Sequence, residues 1–150
     1  MELILWRHAE AEDGVPDPAR ALTRKGVKQA ERLARWLSPR LEGEWRILVS
    51  PAKRTLQTVE PLGREFEVSE AVGTDSDAQR LLREAGWPDA EGNVMVVGHN
   101  PTFGEVAGHL LGLRHDVVFK KGAVWWFSMR SRLGQGEVVL RAVMNPDLAE

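Results

Sequence analysis

Near its amino terminus the chain reads LILWRHA, residues 3–9. The first four of these residues form a short apolar run with β-prone members, which is typical of a strand that is covered on both faces. Arg7 and His8 follow where this strand would end. A buried strand that delivers polar side chains at its end indicates an α/β protein, in which ligands gather beyond the carboxyl ends of the strands.

The same order of strand, polar residues and helix recurs in the middle of the chain. Arg46–Val49 predicts a second buried strand. Ser50-Pro51 after it predicts a helix that runs to about Leu62, because a Ser oxygen accepts a backbone N–H and Pro fits the first turn. Arg54 follows this second strand, which therefore also delivers a basic side chain near its end.

A third unit of the same kind lies further along the chain. Val94–Val97 gives the clearest strand signal, and it ends in Gly98-His99-Asn100-Pro101. A helix from about Thr102 to Leu111 follows, with Gly112 as the residue that ends it. The residue at the end of this strand that matters for chemistry is His99.

The segments between these units carry further helix and strand signals. After a polar loop over residues 9–21, Thr23 caps a helix that ends near Pro39. Phe66–Val68 predicts a short third strand, and a helix follows near Asp77–Glu84, with Thr74 or Ser76 as its cap. The predicted apolar face of the first helix consists of Val27, Ala30, Leu33, Ala34 and Leu37.

The last third of the chain has a different pattern. Ala123–Met129 and Glu137–Met144 are strand-like runs joined by a glycine-containing turn at Leu133–Gly136, which predicts a hairpin. Strands that alternate with helices predict a largely parallel sheet with helices on both faces. We therefore expect a single domain over residues 1–150, a three-layer α/β/α fold with a mostly parallel mixed sheet and a carboxyl-terminal hairpin.

Composition limits the classes of protein to which the chain can belong. Its 150 residues are 43% hydrophobic and 28% charged, which is ordinary for one globular domain and unlike disordered or coiled-coil chains. A net charge of −2 disfavours non-specific binding to nucleic acid. The absence of cysteine excludes disulfides, thiolate zinc sites and cysteine nucleophiles. The amino terminus predicts neither a membrane span nor a signal peptide, so we expect a cytoplasmic protein.

Four side chains at the predicted strand ends suggest a site for a phosphoryl group. Arg7, His8, Arg54 and His99 would meet at one edge of the sheet. Guanidinium groups present planar donors that match phosphate oxygens. An unprotonated imidazole nitrogen can attack phosphorus and form a phosphohistidine intermediate. From the residues alone, the nucleophile is either His8 or His99.

A metal site is the main alternative for the same histidines. His8 and His99 would be ligands together with acids such as Glu10 or Glu12. The spacing matches no metal-binding motif, and the adjacent arginines would repel a divalent cation, so we expect no metal. The other two histidines, His109 and His115, lack any motif context and are interpreted as solvated or capping residues.

Two groups of residues outside these motifs also allow a functional reading. Lys120-Lys121 is interpreted as a solvated charge pair, with the mouth of the phosphate site as the alternative. Trp6 and Trp36 are expected to pack in the core, whereas Trp45 and Trp87 lie near turns. Trp125-Trp126 would point to opposite faces of a strand, so that one of them could line a pocket or an interface.

Three motifs together resemble a known family. Arg7-His8-Ala9, then Ser50-Pro51-Ala52-Lys53-Arg54-Thr55 with Gln57-Thr58, and then Gly98-His99-Asn100-Pro101 are similar to the signatures of the histidine phosphatase superfamily, whose fold is named after phosphoglycerate mutase. Their order and spacing match as well. Residues 20–30 and the short length resemble the SixA-like branch of phosphohistidine phosphatases, and the resemblance spans nearly the whole chain.

The resemblance implies a role for each site residue. His8 would be the nucleophile, Arg7 and Arg54 would clamp the phosphate, and His99 would hydrogen-bond the phosphoryl group being transferred. Arg20 matches a basic loop position that reaches the same phosphate. The family usually has Gly where this chain has Ala9. The resemblance implies no metal ion and no organic cofactor.

The chain departs from larger relatives where they place a carboxylic acid that protonates the leaving group. Its middle segment offers Glu70, Asp75 and Asp77, but none of them matches, and no general acid is assigned. An alkoxide leaving group needs a proton in the transition state, whereas an imidazole can leave as a neutral base. The lack of an assigned general acid is therefore compatible with cleavage of a P–N bond.

The expected function is hydrolysis of a phosphoryl group through phospho-His8, with phosphohistidine on a partner protein as the preferred substrate. A small-molecule phosphomonoesterase of the same superfamily is the first alternative, because the same residues serve both reactions. A catalytically inactive phosphate-binding module is the second. A mutase is disfavoured by the short length of the chain. The sequence does not predict the oligomeric state.

Overall fold

Six strands and four α-helices follow one another along residues 1–149, which are the residues that the computed structural model describes. The strands are β1 (Glu2–Arg7), β2 (Trp45–Val49), β3 (Glu67–Val68), β4 (Asn93–Gly98), β5 (Val124–Arg132) and β6 (Gln135–Met144). The helices are α1 (Arg24–Leu37), α2 (Lys53–Val59), α3 (Ala78–Ala85) and α4 (Thr102–Leu110). Short 3-10 turns lie at Asp17–Ala19, Ser38–Arg40, Glu60–Leu62 and Glu70–Val72.

The strands form one mixed sheet in the order β3-β2-β4-β1-β5-β6. The pairs β1–β4, β2–β4 and β2–β3 are parallel, whereas β5 runs antiparallel to β1 and forms a hairpin with β6. The predicted mostly parallel sheet with a carboxyl-terminal hairpin is therefore confirmed. In the β1–β4 pair Arg7 lies opposite Gly98, so the residues that follow both strands emerge at the same edge of the sheet.

Side chains of the central strands alternate between the two faces of the sheet and bury an apolar cluster on each. On one face Leu3 and Leu5 pack with Phe103 of α4, and α3 covers the same cluster. On the other face Ile4 and Trp6 pack with α1 and α2. This arrangement confirms the predicted three layers. None of the helices within residues 1–149 combines the length and apolar character that crossing a membrane requires.

Helix α1 begins as predicted but turns a different residue inward. The Thr23 side chain accepts a hydrogen bond from the Gly26 N–H at 2.9 Å, which is the expected cap. Val27 was expected on the buried face and is 41% exposed, so that part of the prediction is wrong. Gly26 is buried instead, because a Cβ at this position would lie 2.0 Å from the Glu10 carbonyl oxygen. The first turn of α1 thus packs directly on the loop backbone. The buried residues that were predicted correctly are Ala30, Leu33, Ala34 and Leu37.

The predicted start of the second helix is wrong by two residues. Helix α2 begins at Lys53 with Ala52 as its N-cap, and no side chain caps it. The hydroxyl of Ser50 instead lies 2.7 Å from Nε2 of His99. The Ser50 hydroxyl, which local sequence rules assign to the helix N-cap, is therefore hydrogen-bonded to His99 from another part of the chain.

The cap of α3 differs from the local prediction, whereas the end of α4 agrees with it. Helix α3 is capped by Asp77, whose Oδ1 accepts from the Arg80 N–H at 2.9 Å, rather than by Thr74 or Ser76. Helix α4 ends at Leu110, and Gly112 just beyond it has a φ of +68°, a left-handed conformation that glycine adopts without strain. The predicted glycine stop is confirmed.

Candidate active site

The ends of β1 and β4 bring two histidine side chains together. His8 follows β1 and His99 follows β4, and the centroids of their rings lie 5.3 Å apart. The His8 N–H donates to the Gly98 carbonyl at 3.0 Å, and the His8 carbonyl accepts from the Gly122 N–H at 2.9 Å. The backbone of His8 is therefore held from both sides.

A pocket of about 220 Å³ opens beside these two rings. The residues that the sequence singled out all line it, namely Arg7, His8, Arg20, Arg54 and His99. They come from two strand ends, from α2 and from the loop before α1, so the fold gathers positions that are far apart in the chain. Ala11, Thr74, Asn100 and Lys121 complete the lining.

The imidazole of His8 is buried and has a fixed tautomer. Its Nδ1 lies 2.7 Å from the Ala9 carbonyl oxygen. A carbonyl only accepts hydrogen bonds, so Nδ1 carries the proton and Nε2 keeps its lone pair. Burial, with the charges of Arg54 and Arg7 as further causes, lowers the pKa of His8 from 6.5 to about 4, although the bond to Ala9 opposes the shift. The ring is thus neutral at pH 7.

The imidazole of His99 is buried beside Ser50. Its Nε2 lies 2.7 Å from the Ser50 hydroxyl. The oxygen of this hydroxyl accepts from the Ala52 N–H at 3.3 Å, and its own O–H is free to donate to Nε2. Burial, the neighbouring His8 and the charge of Arg54 lower the pKa of His99 from 6.5 to about 3. Both rings therefore face the pocket as neutral groups with defined hydrogen-bond partners.

The guanidinium groups of Arg7, which is half-buried, and Arg54, which is buried, lie beside the histidines. Nη1 of Arg7 donates to the Phe119 carbonyl at 2.6 Å, and burial lowers the pKa of Arg7 from its usual value. The Arg54 side chain is only 5% exposed. The Nε–H groups of Arg7 and Arg54 are buried and have no hydrogen-bond partner within residues 1–149. A buried donor without a partner costs about 1–3 kcal/mol, so this cluster of cations is suited to an anionic ligand.

Asp17, which sequence reasoning missed, holds two of the basic side chains. Its Oδ2 accepts from Nη2 of Arg54 at 3.1 Å, and its Oδ1 accepts from Nη1 of Arg20 at 3.1 Å. Its main-chain oxygen accepts from Nη1 of Arg54 at 3.0 Å. The hydrogen bonds from Arg20 and Arg54 lower the pKa of Asp17 below 3.8. The sequence carried one signal for this role, the spacing of three residues between Asp17 and Arg20.

The acids left unassigned in the sequence all stay away from the pocket. Glu70 and Asp75 are exposed, and Asp77 caps α3. No carboxylate belongs to the pocket lining formed by residues 1–149, whereas the hydroxyl of Thr74 does. The same part of the chain contains no cluster of three or more His, Asp or Glu side chains with the arrangement of a metal site.

The lysine pair is divided by the structure. Lys121 lines the pocket and Lys120 does not, although both side chains are exposed. The exposure of both residues agrees with a solvated charge pair, and Lys121 in addition lines the pocket, which was the alternative. The turn that carries Lys121 is bonded to the site, because Gly122 donates to the His8 carbonyl. Both His109 and His115 are exposed, as expected.

Side chains of α1 and α2 fasten the loop that leads from His8 to Arg20. Oε1 of Gln57 accepts from the Leu22 N–H at 2.7 Å, and Oε1 of Gln29 accepts from the Glu10 N–H at 2.9 Å. The Ala9 N–H donates to the Thr58 hydroxyl at 3.1 Å. The methyl group of Ala9 is buried in a small apolar cluster, which explains how the loop accommodates Ala where the family usually has Gly.

Comparison with known proteins agrees with this geometry. A family model described as the histidine phosphatase superfamily, branch 1, matches residues 3–96. The chain is 31% identical over 135 residues to a protein of Haemophilus influenzae named phosphohistidine phosphatase SixA homolog, covering 79% of this chain and 82% of the relative. It is 27% identical to phosphohistidine phosphatase SixA of Escherichia coli, covering 83% of each. A solved structure described as the protein histidine phosphatase SixA complexed with tungstate superposes with a TM-score of 0.77 at 26% identity, covering 98% of both chains.

Proposed function

The chain belongs to branch 1 of the histidine phosphatase superfamily, and from this premise we propose that it hydrolyses phosphohistidine on a partner protein through a phosphorylated His8. Its relatives in Haemophilus influenzae and Escherichia coli are named as phosphohistidine phosphatases. A cytoplasmic location stays a prediction of the sequence.

One observation carries the proposal. A neutral imidazole with a pKa of about 4 shares a pocket of about 220 Å³ with three guanidinium groups. The guanidinium groups favour an anion, and the neutral ring supplies a nucleophile. Tungstate, the ligand in the related SixA structure, is a tetrahedral oxyanion like phosphate.

In the first step Nε2 of His8 attacks the phosphorus atom. The Nε2–P bond forms while the P–N bond to the substrate imidazole breaks, and the bonding pair stays on the substrate nitrogen. Arg7 and Arg54 stabilise the negative charge that spreads over the three equatorial oxygens. The Ser50 hydroxyl donates to Nε2 of neutral His99, so the single ring proton lies on Nδ1, and this N–H donates a hydrogen bond to one of these oxygens. The Nδ1–H bond to Ala9 stabilises the positive charge that His8 gains.

In the second step water attacks the phosphorus atom of phospho-His8. The P–Nε2 bond breaks, the electron pair returns to Nε2, and the water proton leaves with the phosphate product. His8 regains the neutral form with its proton on Nδ1, which is the form stable at pH 7 in this pocket.

The make-up of the pocket favours an imidazole as the leaving group. No carboxylic acid lies among its described lining residues to protonate an alkoxide. The substrate imidazole departs as a neutral base when its remote nitrogen already carries a proton, so it needs no acid from the enzyme. This preference separates cleavage of a P–N bond from hydrolysis of a simple alkyl phosphate.

The test compares two kinds of substrate with the purified protein. We expect faster release of phosphate from a phosphohistidine-containing protein than from a panel of small alkyl phosphates, measured as kcat/KM. Acid-sensitive, base-stable labelling of the enzyme during turnover is expected from phospho-His8. His8→Ala should lower the rate by at least about 10³-fold and remove the label.

Three results would count against the proposal. Equal turnover of alkyl phosphates and phosphohistidine would favour the small-molecule phosphatase. Tight binding of phosphate without turnover would favour an inactive binding module. Full labelling of the His8→Ala variant would place the nucleophile elsewhere.

A further inference from the structure

The contacts of the Arg54 guanidinium come from a single residue. Within residues 1–149, both of its hydrogen-bonded nitrogens, Nη1 and Nη2, donate to Asp17, one to the main-chain oxygen and one to the carboxylate. The Arg54 side chain is only 5% exposed, and it lines the pocket. The orientation of this buried cation therefore depends on Asp17.

Asp17 also connects Arg54 with Arg20. The second carboxylate oxygen accepts from Nη1 of Arg20, whose Nε donates to the Glu12 carbonyl at 2.7 Å. One carboxylate thus spans two side chains that line the phosphate pocket. The pair with the partly exposed Arg20 stabilises the fold by about 0–1 kcal/mol, whereas the pair with Arg54 also supplies acceptors to a buried guanidinium group.

The Asp17 carboxylate contacts two arginines of the pocket without lining the pocket itself. Asp17 is absent from the pocket lining, whereas Arg20 and Arg54 belong to it. Asp17 takes the Nη edge of Arg54 and leaves the Nε–H without a partner within residues 1–149. Its main-chain oxygen, which is not an anion, makes one of the contacts. These features differ from those of a carboxylate that merely fills the place of phosphate.

We propose that Asp17 is a positioning residue that holds Arg54 and Arg20 in place for the phosphoryl oxygens. The inference rests on the proposed function, because it assigns these arginines to phosphate. Asp17 touches neither the reacting nitrogen nor the phosphorus atom, and it acts only through the two guanidinium groups. Preorganised donors lower the barrier to phosphoryl transfer because they need not reorient during the reaction.

The first experiment compares Asp17→Ala with Asp17→Asn and with Asp13→Ala as the matched control. Asp13 is an exposed acid of the same loop. We expect Asp17→Ala to lower kcat by about 10-fold or more, since removal of one preorganised donor altogether costs about 10²–10³-fold. Asp17→Asn keeps an acceptor oxygen and should recover part of the loss. Asp13→Ala should behave like the unaltered protein in kcat and in melting temperature. Asp17→Ala should lower the melting temperature as well as kcat, because it leaves a buried donor of Arg54 without its partner.

A double-mutant cycle tests whether Asp17 acts through Arg54. Asp17→Ala should cost much less in kcat when Arg54→Ala is already present, because the group that Asp17 orients is then missing. An equal loss in both backgrounds would overturn the proposal. So would full activity of Asp17→Ala with its arginines otherwise unaltered.

Binding of tungstate separates this inference from the proposed reaction. Calorimetry should show weaker tungstate binding to Asp17→Ala than to the unaltered protein, even if no phosphohistidine substrate is turned over. Failure of turnover with this weakening would remove the proposed function and keep the positioning role. Tighter tungstate binding to Asp17→Ala would show that the carboxylate competes with the anion, which would overturn the positioning role.

Discussion

Two concave regions lie at opposite ends of the same sheet. The pocket at the carboxyl ends of the parallel strands measures about 220 Å³. A groove lined by residues at the amino-terminal ends, including Glu2, Trp45 and Asn93, measures about 570 Å³. Both contain arginines and aromatic or imidazole rings, yet only the smaller one has the character of a reaction site.

The arginines of the two regions differ in how they are paired. In the groove Arg141 lies 4.8 Å from the ring centre of Trp126 and bonds to Glu2, and Arg40 lies 4.6 Å from that of Trp36. These cations stack on aromatic rings as part of the fold. Trp126 also lines this groove and not the phosphate pocket.

Buried donors without hydrogen-bond partners, rather than the larger cavity volume, distinguish the candidate site from the groove. The buried Nε–H groups of Arg7 and Arg54 lack partners within residues 1–149, and the two histidines beside them have lowered pKa values. Shifted pKa values beside buried donors that lack hydrogen-bond partners are the pattern expected at a ligand-binding site.

The largest difference between the two regions is expected when one arginine is removed from each. Arg7→Ala should lower kcat/KM by about 10²–10³-fold, because it removes a buried donor to the phosphoryl oxygens. Arg141→Ala in the groove should leave kcat/KM unchanged and slightly lower the melting temperature. Steady-state phosphate release and thermal unfolding of both variants measure this, and a comparable loss of activity in Arg141→Ala would contradict it.

The pH dependence of the reaction should report the lowered pKa of His8. Protonation of Nε2 removes the attacking lone pair, so kcat/KM falls about tenfold per pH unit below the pKa of the free enzyme. Because that pKa is about 4, the acid limb should lie near pH 4 rather than near 6.5. An acid-stable aryl phosphate serves as substrate, with circular dichroism as the check on folding. An acid limb near pH 6.5 would show that His8 is solvated.

Ser50→Ala tests the support of the second histidine. The substitution removes the hydroxyl that lies 2.7 Å from Nε2 of His99. Loss of one hydrogen bond of about 0.5–1.5 kcal/mol should lower kcat about 2–10-fold. Ser69→Ala, at a cap outside the pocket, is the control. An unchanged kcat in Ser50→Ala would mean that His99 keeps its orientation without this partner.

The smallest effect is expected at the rim. Lys121→Ala should raise KM by about 2–3-fold at low salt and less at high salt, as an exposed charge near an anion does. Lys120→Ala removes the same charge one residue away and outside the pocket lining. Equal changes in KM for the two variants would show that only the net charge matters.

The central features of the fold could be predicted because they depend on repeated local patterns. The strands β1 and β4 are apolar runs that end in polar residues, and parallel strands bring such ends to one edge. The gathering of Arg7, His8 and His99 follows from that geometry alone. The prediction that Arg54 and Arg20 join them also required the resemblance of the motifs to a known family.

The features that were missed depend on contacts between distant segments. Ser50 was assigned to a helix cap, but His99, 49 residues away, takes its hydroxyl. Asp17 belongs to an exposed turn without any periodic pattern, and only the path of the loop brings it to Arg54, 37 residues further on. Val27 turns outward because the backbone of Glu10 leaves room only for glycine at the neighbouring position.

The two main-chain hydrogen bonds of His8, to Gly98 and from Gly122, restrict how the reaction can proceed. They anchor the proposed nucleophile between the end of β4 and the turn before β5, and the Ala9 carbonyl restrains rotation of the ring as well. Because Nε2 of His8 can move so little, the phosphorylated side chain of the substrate must move toward it. Rotation about the bonds of that side chain is therefore expected to align the phosphorus atom with Nε2.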